Sequence, residues 1–227
     1  QEIVCVIVLR DPRDVLTSMN HGRGAEFTGR RRPTLFNIRN WRKSVAFSIE
    51  SSNHPSFLSL RYEDVVGSPF ESLKKITDRL GLSPLDESHF FDGIRAQDGS
   101  LWSGNSSHDD IEFISRKSIG KHRSFLSENM RTYIETTCLP EMEYLGYSND
   151  LSPTPGIIRN FVEPQKITRP EIHPSYSISK ANIEAEIKRL QGLSQPFVNE
   201  ADQYYLSRRV FEVLQEHGSD RLRSFHE

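Results

Sequence analysis

The chain has 227 residues, room for one ordinary domain with a short extension and too few for two full enzyme domains. Its 29 Lys and Arg face 31 Asp and Glu, a net charge of −2, so no global charge draws it to nucleic acid or to a membrane surface. No apolar run reaches the roughly 18 residues that would cross a bilayer, and two cysteines, Cys5 and Cys138, supply neither a disulfide framework nor metal-ligand spacing.

Residues 3–9 (IVCVIVL) form a β-branched run, the pattern of a strand covered on both faces with Cys5 buried in it. Asp11 then suits a helix cap, Pro12 the first turn and Asp14 the positive end of the helix dipole, with Val15, Leu16 and Met19 on the apolar side. Strand, tight turn and helix make half of a parallel βαβ unit. Residues 21–33, rich in Gly and Arg, read as a loop. A helix follows over residues 34–50 with Trp41, Val45 and Ile49 at helical spacing, then a second strand over residues 57–62. Ser68, Pro69 and Glu71 predict a capping box. Phe70, Leu73, Ile76 and Leu80 line that helix, and Gly81 stops it.

Residues 83–118 read mostly as loops. Ser127 opens a further helix toward Leu145, interrupted at Pro140 and ended by Gly146. Five prolines between Pro153 and Pro174 mark a linker, taken as residues 149–177, which sets a helical C-terminal extension, residues 178–227, apart from the first 148 residues.

Chemistry concentrates where the first strand ends. An arginine at the carboxyl end of a parallel strand projects toward the crevice in which such sheets bind ligands, and a following helix N-terminus adds N–H groups and dipole. Arg10 can fork two phosphate oxygens there, and Ser18 can add a hydroxyl. A surface ion pair between Arg10 and Asp11 is the alternative. The histidines His21, His54, His89, His108 and His122 show no ligand spacing and read as surface residues. The pair Glu63-Asp64 reads as a structural cap rather than a general base.

Between Arg10 and Lys43 nine basic residues face three acidic ones, and Arg30-Arg31-Arg32 suggests a lining for an anionic glycan or acidic peptide acceptor. No aromatic interleaving supports single-stranded nucleic acid.

Four stretches, VLRDPRDVLTS (Val8–Ser18), LRYEDVVGSP (Leu60–Pro69), LGL (Leu80–Leu82) and GKH…LS…LGY (Gly120–Tyr147), occur in an order that resembles the sulfotransferases using 3′-phosphoadenosine 5′-phosphosulfate. The wording is nearest the carbohydrate and protein-tyrosine branch or its bacterial relatives. The resemblance implies an α/β fold, a parallel sheet flanked by helices of the nucleotide-kinase-like type. It implies transfer of a sulfuryl group from that donor to a hydroxyl or amine, without a metal.

Residue by residue, the resemblance places Arg10 and Ser18 on the nucleotide's 3′-phosphate, Tyr62 beside the nucleotide and Lys121 at its phosphates, with Arg116 and Ser118 in the same cradle. His122 departs from the pattern, which has Trp there. The family's first βα unit, with its Gly-rich phosphosulfate loop and catalytic base, is expected upstream of Gln1, so this chain alone is expected to be inactive. A nucleotide kinase and a non-catalytic binding module are the competing classes. Compartment follows from neither composition nor motifs.

Overall fold

The computed structural model describes residues 3–21, 32–83, 86, 95, 97–100, 114–149, 155–163, 178–193, 207–218 and 221–222. Strand β1 (Cys5–Leu9) and strand β2 (Phe57–Arg61) pair in parallel, in register from Cys5 opposite Phe57 to Leu9 opposite Arg61. Their carboxyl ends therefore lie side by side. Parallel neighbours need a crossover; helices α1 (Pro12–His21) and α2 (Thr34–Ser51) lie on it. After β2 come α3 (Tyr62–Gly67) and α4 (Pro69–Leu80), then a 3₁₀ turn (Arg116–Ser118) and α5 (His122–Phe125). The chain continues through α6 (Glu128–Thr137), α7 (Leu139–Tyr144), α8 (Pro155–Asn160), α9 (Lys180–Leu193) and α10 (Arg208–Gly218). The result is a small parallel sheet flanked by helices. Among the described residues no helix is long and apolar enough to cross a membrane.

The local signals act as their chemistry dictates in most places. Asp11 accepts from the Arg13 N–H (2.9 Å) and so caps α1, and Ser127 accepts from the Met130 N–H to cap α6. Gly81 and Gly146, at φ +63° and +71°, end their helices in the left-handed region that a side chain disfavours. On α2 the stripe Leu35, Ile38, Trp41, Val45 and Ile49 enters the core, joined there by Leu9, Leu16, Ile134, Leu139 and Met142.

Three expectations are corrected. Strand β1 is not covered along its whole length on both faces: Val8 is 53% exposed on one face, and Cys5 is exposed at the start of the strand on the other, the face that carries Leu9 into the core. In α4 the buried residues are Ser72 and Thr77, while Leu80 is 40% exposed and the Ser68 side chain makes no cap bond. That helix rests on α3 and β2, and its apolar stripe is only half-buried at Phe70, Leu73 and Ile76.

The third concerns the C-terminal extension, which does not stand apart. Ile187, Leu190, Leu193, Val210, Phe211 and Leu214 belong to the same core as Leu9. Arg189, 1% exposed, donates to Glu186, to Glu141 (3.0 Å) and to the Thr137 carbonyl, while Arg39 and Arg42 of α2 donate to Glu186 from the other side. Even the Pro-punctuated stretch is fastened. Phe161 stacks on Tyr133 at 3.8 Å between centroids, and the buried Glu163 carboxylate accepts from the Thr34 hydroxyl and N–H at the start of α2. Apolar spacing within a helix shows which face is buried, but not against what.

Candidate functional site

Residues of three of the four motifs converge at the carboxyl ends of β1 and β2, whereas Leu80–Leu82 follows Arg79, which bonds the His54 and Phe57 carbonyls at the opposite end of β2. Arg10, the first residue beyond β1, lies over the Tyr62 ring with its guanidinium carbon 4.4 Å from the centroid. Tyr62 is the first residue beyond β2, so the parallel register brings the two together. The Arg10 Nη2 donates to the Ser118 carbonyl and lies 3.7 Å from Asp14 Oδ2. Its own carbonyl accepts from the Trp41 indole N–H (2.8 Å). Arg10 is thus aimed from four elements.

Asp14 ties the late motif to the early one. Its carboxylate, nearly inaccessible, accepts from the Gly120 N–H (2.7 Å), the His122 N–H (2.9 Å) and His122 Nδ1 (2.9 Å). Burial by itself would raise this carboxyl. The bonds from the His122 ring, the His122 N–H and the Gly120 N–H outweigh it and hold the group below the usual carboxylate range. Lys121 sits between the two anchored residues, at the start of α5. Asp14 and Ser18, four residues apart, share one face of α1, and Arg10 lies two residues before that helix with Nη2 3.7 Å from Asp14. Ser18 is half-buried.

A second set of bonds braces the strand ends. Glu63 accepts from the Asp11 N–H (3.0 Å) and from the Tyr147 hydroxyl (2.7 Å). Burial, then the Glu63 charge and bond, push the Tyr147 hydroxyl well above its ordinary range. Arg61 stacks on the other side of that bond, 4.6 Å from the Tyr147 ring centroid. Beneath them Arg13 holds Asp11 through two nitrogens and reaches Glu135 at 2.7 Å. Desolvation alone would lower the Arg13 guanidinium; the carboxylates on both sides raise it instead. Both oxygens of Glu63 are spent on structure, so it is a brace rather than a base.

Arg116, exposed on the 3₁₀ turn, donates to the Gly67 carbonyl, and Ser118 enters the cluster through its carbonyl. An open groove of about 1010 Å³ adjoins this turn, lined by Glu63, Asp64, Ser68, Glu71, Lys75 and Arg116 among others. None of Arg10, Ser18, Tyr62 or Lys121 lines it, and three carboxylates make it a poor host for phosphates.

Two readings of single residues are corrected. His122 is not a surface histidine: it is 2% exposed against Asp14, because α5 packs on α1. His54 is exposed as expected, whereas His89, His108 and the His21 side chain lie outside the described residues. Part of the basic excess of residues 10–43 is consumed inside the fold. Arg13 is paired with Asp11 and Glu135, and Arg39 and Arg42 with Glu186; Arg30 and Arg31 lie outside the described residues. Sequence reasoning missed Asp14 and Tyr147 as organisers. Both stand inside quoted motifs, which was the available signal.

With this cluster assembled from the ends of both strands, the comparison with known families becomes specific: the sulfotransferase domain model matches residues 2–146, the stretch that holds the first three motifs and all of the fourth but its last residue.

The chain belongs to the sulfotransferase family.

Its family activity is sulfuryl transfer, and the matched region of this sulfotransferase contains the Arg10–Asp14–His122 cluster and Glu63, with Tyr147 one residue beyond its end. No curated protein and no solved structure matches the chain.

Proposed function

We propose that this sulfotransferase takes its sulfuryl group from 3′-phosphoadenosine 5′-phosphosulfate and passes it to a hydroxyl or amine of a carbohydrate, protein or small-molecule acceptor. The cluster at the strand ends is the nucleotide-holding side of its site. The observation that carries this reading is the state of Arg10. Its guanidinium is oriented by Tyr62, Ser118 and Asp14, yet none of those contacts uses Nη1, and Nε is buried with no acceptor among the described residues. Buried donors are normally paired. An arginine held in place with donors to spare, at a strand end beside a helix N-terminus, fits an anion such as a phosphate.

Arg10, just before α1, and Ser18, within it, hold the 3′-phosphate; Tyr62 lies beside the nucleotide; Lys121 reaches its phosphates, with Arg116 and Ser118 completing the cradle. When bound, the donor supplies the sulfuryl group, and adenosine 3′,5′-bisphosphate is what remains. The chain's own residues contribute binding and orientation, the terms that dominate transfers of this kind.

Calorimetry with adenosine 3′,5′-bisphosphate tests the reading directly. Arg10→Ala is expected to weaken binding by about 1.5–3 kcal/mol, the range for hydrogen bonds to a charged group. Equal affinity in the two proteins, or no binding by either, would overturn it.

A further inference from the structure

His122 leaves part of its chemistry unspent in a place where that is costly. Its ring is 2% exposed, Nδ1 lies 2.9 Å from Asp14 Oδ1, and Nε2 is buried with no partner among the described residues. Asp14 is an acceptor, so the shared proton sits on Nδ1, and the buried Nε2 is left without a partner among the described residues. A phenylalanine would fill that space without the desolvation cost of an unpaired nitrogen. Packing therefore does not account for a histidine here; the bond to Asp14 does. That bond closes a short chain of contacts. His122 and Gly120 bracket Lys121, both are fastened to Asp14, and Asp14 lies against Arg10, which is fastened in turn to Ser118.

We propose that His122 is a positioning residue of the nucleotide site: through Asp14 it locks the Gly120–Lys121–His122 turn onto α1, so that Lys121 and Arg10 are presented together to one anion. This rests on the donor-site reading above. The ring supplies one of the three donors on Asp14, and it is the one a side-chain change can remove without touching the backbone. Without it the two backbone N–H bonds must hold the turn unaided. Lys121 would then sample more positions, and part of the binding free energy would be spent on ordering it.

The test uses the 227-residue chain and adenosine 3′,5′-bisphosphate. His122→Phe is expected to weaken binding about tenfold, as loss of an ordered cation contact would. His122→Asn, whose amide can still donate to Asp14, should stay within about threefold of the wild type. In a Lys121→Ala background His122→Phe should add less than about a twofold loss, because the route through Lys121 is already cut. Amide hydrogen exchange should rise at Gly120 and His122 in His122→Phe while protection in α2 and α9 is unchanged.

Should His122→Phe not fold, nitrogen NMR of the wild-type ring still decides. A proton on Nδ1 is expected, and a ring that carries its proton on Nε2 alone overturns the lock. No nucleotide binding by the wild-type chain would sink the donor-site reading itself. Equal binding by wild type and His122→Phe would sink only the positioning role, as would a tenfold loss that persists in the Lys121→Ala background.

Discussion

Glu186→Gln is expected to destabilise the folded chain by about 3–5 kcal/mol, the cost of stripping one partner from a buried ion cluster. Glu186 on α9 receives Arg39 and Arg42 from α2 and Arg189 from its own helix, and its side chain is 4% exposed. The neutral amide leaves three guanidiniums to share Glu141, which already meets Arg42 at 3.3 Å and Arg189 at 3.0 Å. The sign with pH follows from the same contacts. Burial alone would raise the Glu186 carboxyl; Arg42, Arg189 and Arg39 outweigh it and hold the group at about 2. A carboxyl depressed on folding contributes stability that is complete above its ordinary value near 4.5 and fades as pH falls toward 2. Urea melts should therefore show a large gap between wild type and Glu186→Gln at pH 7, narrowing at pH 3. A variant as stable as the wild type at pH 7 would show that α9 is dispensable to the fold.

Asp14→Ala is expected to cost at least about 3 kcal/mol, because three N–H donors lose their acceptor in a buried site and each such loss costs about 1–3 kcal/mol. The donors are the Gly120 N–H, the His122 N–H and the His122 ring. Asp14→Asn separates the contributions. Its oxygen can still accept from His122, but its amide N–H₂ then faces the Gly120 N–H, donor against donor, so the variant should fall between wild type and Asp14→Ala. Because the carboxyl is held below its ordinary range, this stabilisation also disappears on the acid side, as pH falls through and below the usual carboxylate range near 3.8. Thermal melts across pH 2–7 provide the measurement. An Asp14→Ala chain that melts like wild type would mean that the Gly120–His122 turn holds itself.

How much of this was legible in the residues depends on the range of the interaction. The β-branched run, the Asp11-Pro12 helix start, the α2 stripe and the glycine stops are local effects, and the structure follows them. Exposure of Cys5 and Val8, on opposite faces of β1, depends on what lies over each end of the strand, which no local pattern encodes. The apolar spacing of α4 is real, but its stripe is only half-buried. At the site, Arg10 beside Tyr62 follows from two strand ends in parallel register. The role of Asp14 could not be seen, because a carboxylate in the first turn of a helix already has a sufficient local explanation in the dipole. Only its partners, 106 and 108 residues away, reveal the second one. His122 was unreadable for the converse reason: surface is the usual place for a histidine, and a single buried acceptor overrules that prior.

The break between α6 and α7 has a practical consequence. Cys138 occupies it, with no exposed surface, and burial pushes its thiol well above the ordinary value, with Glu141 adding to the effect. Cys5, at the first position of β1, is exposed. The two thiols therefore report different events to an alkylating reagent. Cys5 reacts with the native molecule and can carry a fluorophore without disturbing the core. Cys138 becomes available only when the junction of two helices opens, so the rate at which a second label is acquired, read by mass spectrometry, is a clock for unfolding of the shared core.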